Sequence, residues 1–128
     1  MKFALCQELF EGWEWERQCE LMAEIGYTGI EAAPFALASS IHELEADRRT
    51  QLRQQAESHG LQIIGLHWLL AQTEGLYLTS PDPSVRDATR DYVIALGDAC
   101  ADLGGELMVF GSPAQRNLLE GVSREEAM

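Results

Sequence analysis

Ser58-His59-Gly60-Leu61-Gln62-Ile63-Ile64-Gly65-Leu66-His67-Trp68-Leu69-Leu70 is the stretch whose reading decides the fold. A helix stop at Gly60, a short apolar run through Ile63-Ile64-Gly65-Leu66, and a polar group where the run ends make one half of a βα unit. The phrase recurs on either side. Ala23-Glu24-Ile25-Gly26 leads into Thr28-Gly29-Ile30-Glu31, and Ala101-Asp102-Leu103-Gly104 leads into Leu107-Met108-Val109-Phe110-Gly111. The chain therefore reads as a repeat of βα units.

Working outward, Phe3-Ala4-Leu5-Cys6 is a first apolar strand that exits into Gln7-Glu8. Trp15, Cys19, Met22 and Ala23 then recur at helical spacing up to Gly26. Trp15 reads as a packing aromatic, whereas Trp13, in the loop after the strand, is also a candidate lining residue. Gly29-Ile30-Glu31-Ala32-Ala33-Pro34 is the second strand and its exit, with Glu31 at the end of an apolar run, where a carboxylate needs a partner or water. Phe35 to Glu45 reads as a long connection with His42 in a loop or cap role. A polar helix over about Asp47–His59 has Leu52 and Ala56 as its inward face, with His59 in its last turn. Asp82 and Pro83 have the form of an N-cap and first helical residue. They introduce a helix whose stripe runs Val85, Ala88, Thr89, Tyr92, Val93, Leu96, Ala99, Cys100, Leu103. Ser123-Arg124-Glu125-Glu126 is a capping box. It announces a fourth helix near Arg124 that the sequence leaves at Met128, so residues 1–128 are expected to be a partial domain of a longer chain.

The totals narrow the class. At 128 residues, 46% apolar and 23% charged, the composition is that of one ordinary globular unit. Nine basic against 21 acidic residues leave a net charge of −12, which disfavours nucleic acid or an anionic membrane as partner. Cys6, Cys19 and Cys100 are odd in number and scattered, which suggests neither a disulfide framework nor a structural zinc cluster. With no signal-peptide pattern and no membrane-length apolar run, the expected location is the cytoplasm.

Near-continuous apolar strands alternating with helices belong to an α/β fold of parallel strands covered on both faces. Two closures remain, a small doubly wound parallel sheet and half of a (β/α)8 TIM barrel, which needs roughly 250 residues when complete. Gln7-Glu8, Glu31, His67-Trp68 and Ser112 all fall at C-terminal strand ends, which ring one mouth in a barrel. No Gly-rich nucleotide fingerprint occurs. The half barrel is favoured.

Several phrases carry a family resemblance: Gly26-Tyr27-Thr28-Gly29-Ile30-Glu31, Gly65-Leu66-His67-Trp68, Tyr77-Leu78-Thr79-Ser80-Pro81-Asp82, and Gly104-Gly105 leading to Val109-Phe110-Gly111-Ser112-Pro113. The tail, Gln115-Arg116 through Gly121 and Glu125-Glu126-Ala127, adds to them. The chain resembles the N-terminal half of the xylose isomerase-like barrel family of sugar and sugar-phosphate isomerases and epimerases. The resemblance implies a divalent metal ion (Mn, Mg, Co or Zn) in the complete barrel and proton abstraction beside a carbonyl through an enediolate. It places the metal ligands and catalytic carboxylates mostly on the last four strands, so no catalytic residue is assigned here. It leaves Glu31, His67, Trp68, Cys6 and Ser112 as substrate-binding candidates, with His67 a metal contact in metal-rich relatives. Gln115-Arg116 reads first as surface charge, with a hold on an anionic substrate group as the alternative. The implied partner is a small sugar or sugar phosphate. The alternative is a non-catalytic half-barrel module that self-associates through its exposed strand edges, which a C-terminal half would otherwise cover.

Overall fold

Strands β1 (Ala4–Cys6), β2 (Gly29–Ala32), β3 (Gln62–His67) and β4 (Leu107–Val109) form one parallel sheet in the order β1-β2-β3-β4. The computed structural model describes residues 1–127. Each crossover carries one long helix: α1 (Trp15–Ile25), α2 (Ala46–Ser58) and α3 (Pro83–Asp102). Sequential order decides the closure. A doubly wound sheet reverses its direction of travel at a switch point, and here every strand lies beside its sequence neighbour. With crossovers of one hand, the helices fall on one face, and α1 does pack on α2 and α2 on α3. This is half of a (β/α)8 barrel.

Local chemistry sets the element ends. Gly26 adopts φ 101° and closes α1, with Tyr27 N–H donating back to Met22 O at 2.9 Å. Gly60 and Gly104 are also left-handed, at φ 76° and 86°. Asp82 caps α3 by accepting from Ser84 N–H at 2.8 Å, and Pro83 is the first helical residue. The long connection after β2 contains a helical turn at Pro34–Leu37 and a 3-10 turn at Ile41–Glu43. The 3-10 turn tucks against α3, where Tyr92 Oη accepts from Ile41 N–H at 3.1 Å.

The core lies between the helix layer and one face of the sheet. Ile30, Ala32, Ile63 and Leu66 from the strands meet Cys19 and Met22 of α1, Leu52 and Ala56 of α2, Leu96 and Ala99 of α3, and Leu103 at its C-cap. Trp15 is buried and its Nε1–H donates to Leu52 O at 3.0 Å, tying α1 to α2. Thr89 and Tyr92 are buried as the helical stripe implies, but Ala88 on that stripe is exposed.

The expectation of strands covered on both faces is corrected at the edges. Leu107, Met108 and Val109 of β4 are 43%, 38% and 48% exposed, and Phe3 before β1 is 57% exposed. Apolar composition alone does not distinguish a strand buried in this chain from an edge whose neighbour is not part of it. At the C-terminal side the capping box forms, with Glu126 N–H donating to Ser123 Oγ at 3.3 Å and Ser123 N–H to Glu126 Oε2 at 2.9 Å. Residues 124–127 are turns rather than an assigned helix, and the last position of the expected fourth helix, Met128, lies outside the described residues.

Candidate functional site

The site forms where β1, β2 and β3 end. Cys6 pairs in register with Glu31, and Glu31 with Gly65. Alternate residues of a strand share a face, so His67, two beyond Gly65, joins Cys6 and Glu31. A register shift makes this possible. Ile30 pairs with Ile63 but Glu31 pairs with Gly65, so Ile64 is an extra residue in β3. With unbroken alternation His67 would share the side of Ile63, which is packed against the helices. The bulge changes the phase and turns His67 toward the mouth.

One candidate ligand atom each from Cys6, Glu31 and His67 lies within 4.8 Å of the others. A fourth residue braces them. The 3-10 turn Gln7–Phe10 carries Glu8 over the end of the sheet, where His67 Nε2–H donates to Glu8 Oε2 at 2.7 Å. In the neutral ring this bond fixes the tautomer, so Nδ1 presents a lone pair. His67 is only 5% exposed, and its Nδ1 has no hydrogen-bond partner. Glu31 Oε1 stands 3.9 Å from Nδ1, beyond hydrogen-bond reach. Burial raises the Cys6 thiol above its ordinary range, and the charges of Glu8 and Glu31 raise it further. Cys6 is therefore a protonated thiol at neutral pH and a poor nucleophile.

Trp68 follows at φ 54°, a left-handed conformation that is strained for a bulky residue, and is 47% exposed. It lines a cleft of about 380 Å³ with Glu8, Phe35, Gln72, Ser112 and Gln115. An adjoining cleft of about 440 Å³ is lined by Gln7, Glu8, Trp13, Phe35 and Gln72. Glu8, Phe35 and Gln72 belong to both, so Trp13 and Trp68 flank one groove over the strand ends. Among the described residues lining the two clefts there is no lysine or arginine.

Ser112 is buried, and its Oγ accepts from Leu70 N–H at 2.9 Å, pinning the loop after β3 to the exit of β4. Arg116 is exposed, while Gln115 reaches the groove. The other histidines stand apart, as their local readings imply. His42 stacks edge-on against Tyr92, and His59, at the end of α2, sits 3.3 Å from Glu16.

Sequence reasoning brought Cys6, Glu31, His67 and Trp68 to the right end of the sheet but gave Glu8 no role. The signal was the polar pair at the first strand exit. Its partner lies 59 positions away, beyond any local pattern. Gln7 was overlooked in the same way. It is buried and its Oε1 accepts from Ala33 N–H at 3.4 Å, holding the turn against β2.

The fold matches solved structures. One is D-psicose 3-epimerase in the presence of D-fructose, at TM-score 0.70 and 18% identity over 86% of this chain and 37% of that one. Another is D-psicose 3-epimerase from Clostridium cellulolyticum H10 with D-tagatose, at TM-score 0.69 and 17% identity over 88% of this chain and 37% of that one. The chain thus spans a little over a third of the length of these structures. No curated protein matches the sequence. Among protein families, the xylose isomerase-like TIM barrel matches residues 19–128. The chain belongs to the xylose isomerase-like TIM-barrel family.

Proposed function

We propose that this chain forms the substrate-side wall of a metal-dependent sugar isomerase or epimerase. The carrying observation is the convergence of Cys6, Glu31 and His67 at the ends of three consecutive strands in a half barrel of this family. Trp13 and Trp68 offer flat faces to a sugar ring across the groove, and Glu8, Glu11 and Gln72 offer hydrogen-bonding groups to its hydroxyls. Two carboxylates without a lysine or arginine among the lining residues favour a neutral sugar over a phosphorylated one, because an anion there is repelled. A bound divalent ion supplies the charge that stabilises the oxyanion formed when a proton leaves the carbon beside a carbonyl. This chain's part is to bind and orient the substrate and to exclude water from one side.

The exposed apolar edges at β1 and β4 support a partner that continues the sheet, either a C-terminal half barrel or a second copy. Three cysteines without a disulfide among the described residues support a reducing cytoplasm. Among the described residues no helix is long and apolar enough to cross a membrane. The test is proton exchange by the full-length, metal-loaded protein with ketoses and ketose phosphates in deuterated water. Deuterium entering a C–H beside the carbonyl, with the free ketose preferred, is expected, and no exchange across the panel refutes the reading. The second reading, a non-catalytic module that self-associates, also rests on those edges. Light scattering that shows a stable monomer counts against it.

A further inference from the structure

The geometry points to a zinc-type cation site made by Cys6 Sγ, a Glu31 carboxylate oxygen and His67 Nδ1, with Glu8 as the outer carboxylate that orients the imidazole. Three observations meet at one point. The three ligand atoms come from three different strands and already lie within 4.8 Å of one another. A tetrahedral zinc with bonds of about 2.0–2.3 Å sets its ligands roughly 3.5 Å apart. Rotation of the Cys6 and Glu31 side chains, both only half-buried, covers the difference.

The second observation is His67 Nδ1, a buried nitrogen without a hydrogen-bond partner that faces Glu31. Leaving such a group unsatisfied is destabilising, and the Cys6 thiol does not satisfy it. A cation does. The third is Glu8, whose Oε2 accepts from His67 Nε2–H at 2.7 Å. A metal-binding histidine commonly donates its other ring N–H to a carboxylate, which fixes the tautomer and raises ligand basicity. Here that arrangement is present, and the free nitrogen faces Glu31 at 3.9 Å.

Charge and softness select the ion. Glu8 and Glu31 share the site without an arginine or lysine ion-pairing either of them among the described residues. One thiolate, one imidazole and one carboxylate suit Zn²⁺ rather than Mg²⁺ or Ca²⁺, which prefer oxygen. On binding, Cys6 releases its proton to solvent and its sulfur lone pair forms the metal bond, so no oxidant or reductant is needed. Three protein ligands leave a fourth position open, which water or a hydroxyl would fill.

The test uses the full-length protein with Cys19→Ala and Cys100→Ala, whose native thiols are buried in the core. Titration with Co²⁺ reports sulfur ligation through a near-ultraviolet thiolate-to-cobalt band, and Zn²⁺ competition against a chromophoric chelator gives affinity. One such band per chain, displaced by Zn²⁺, is expected. Cys6→Ser should abolish it and weaken Zn²⁺ binding at least ~100-fold, in line with loss of a direct ligand. Glu31→Gln should weaken binding while keeping the band. Glu8→Gln should keep the band with ~10- to 100-fold weaker affinity, as outer-shell changes do. Circular dichroism checks that every variant is folded. A folded parent protein with no thiolate band, or equal Zn²⁺ affinity in Cys6→Ser, overturns the site. This inference does not rest on the isomerase reading: a cobalt band without ketose exchange leaves the site standing, and exchange without a band removes it alone.

Discussion

Replacing Gly65 by alanine puts the join between β3 and β4 under direct steric test. An alanine Cβ at position 65 would lie 2.1 Å from the Leu107 carbonyl oxygen, 2.7 Å from Leu107 Cδ1 and 2.8 Å from its Cγ. The nearest atom is backbone, so no rotamer change relieves the contact. A non-bonded carbon–oxygen pair needs roughly 3.2 Å, so β4 must retreat by about 1 Å, enough to stretch the ladder that pairs Gly65 with Leu107 and His67 with Val109. Overpacking against movable side chains costs about 1–3 kcal/mol, and each lost ladder bond adds about 1 kcal/mol. Gly65→Ala should therefore cost about 3–5 kcal/mol, a large part of a typical domain's total stability. Gly97→Ala is the matched control. It adds the same methyl group inside α3, where the nearest atom, Met108 Cε, is 3.9 Å away. Removing a helical glycine there should stabilise by about 0.5–1 kcal/mol. Urea unfolding of the full-length protein and both variants measures the difference. If Gly65→Ala unfolds within about 1 kcal/mol of the parent, or if Gly97→Ala loses as much as Gly65→Ala, the packing account of this sheet is wrong.

Two further predictions concern other links. Burial pushes the Cys19 thiol up to about 11 from its ordinary 9.0, with Glu16 adding to the shift. A raised acid is stabilising while protonated in both states, and the contribution is lost as pH rises from the unfolded value through the folded one. Between pH 9 and 11 the parent should therefore lose on the order of 2 kcal/mol more than Cys19→Ala does, and parallel stability curves there would exclude it. At Trp68, the left-handed backbone costs a non-glycine residue about 1–2 kcal/mol. Trp68→Gly should thus be more stable than Trp68→Ala by about 1 kcal/mol, while both weaken ketose binding in calorimetry. Equal stability would mean that the loop relaxes freely and stores no strain.

Much of the architecture was legible because its causes are local. Helix stops at Gly26, Gly60 and Gly104 need only a backbone free to take positive φ, and Asp82 caps α3 through a neighbour two residues away. Leu52 and Ala56 fall inward because a polar helix has only one apolar side to bury. Even the placement of Cys6, Glu31 and His67 at one end of the sheet follows from parallel strands that all run the same way.

What the tertiary structure alone decided is how those residues face one another. Strand order, not strand composition, separates a half barrel from a doubly wound sheet. The exposed β4 looks in sequence like any buried strand, because apolar character does not say whether a neighbour is there to cover it. Glu8 finds His67 only when β1 and β3 flank β2 in one parallel sheet. Ile63-Ile64-Gly65-Leu66 reads as a plain strand, and strict alternation would turn His67 into the helix-side core. The extra residue at Ile64 is a matter of pairing with β2, which has no local signature. It reverses the phase of the strand and puts the imidazole among Cys6, Glu31 and Glu8.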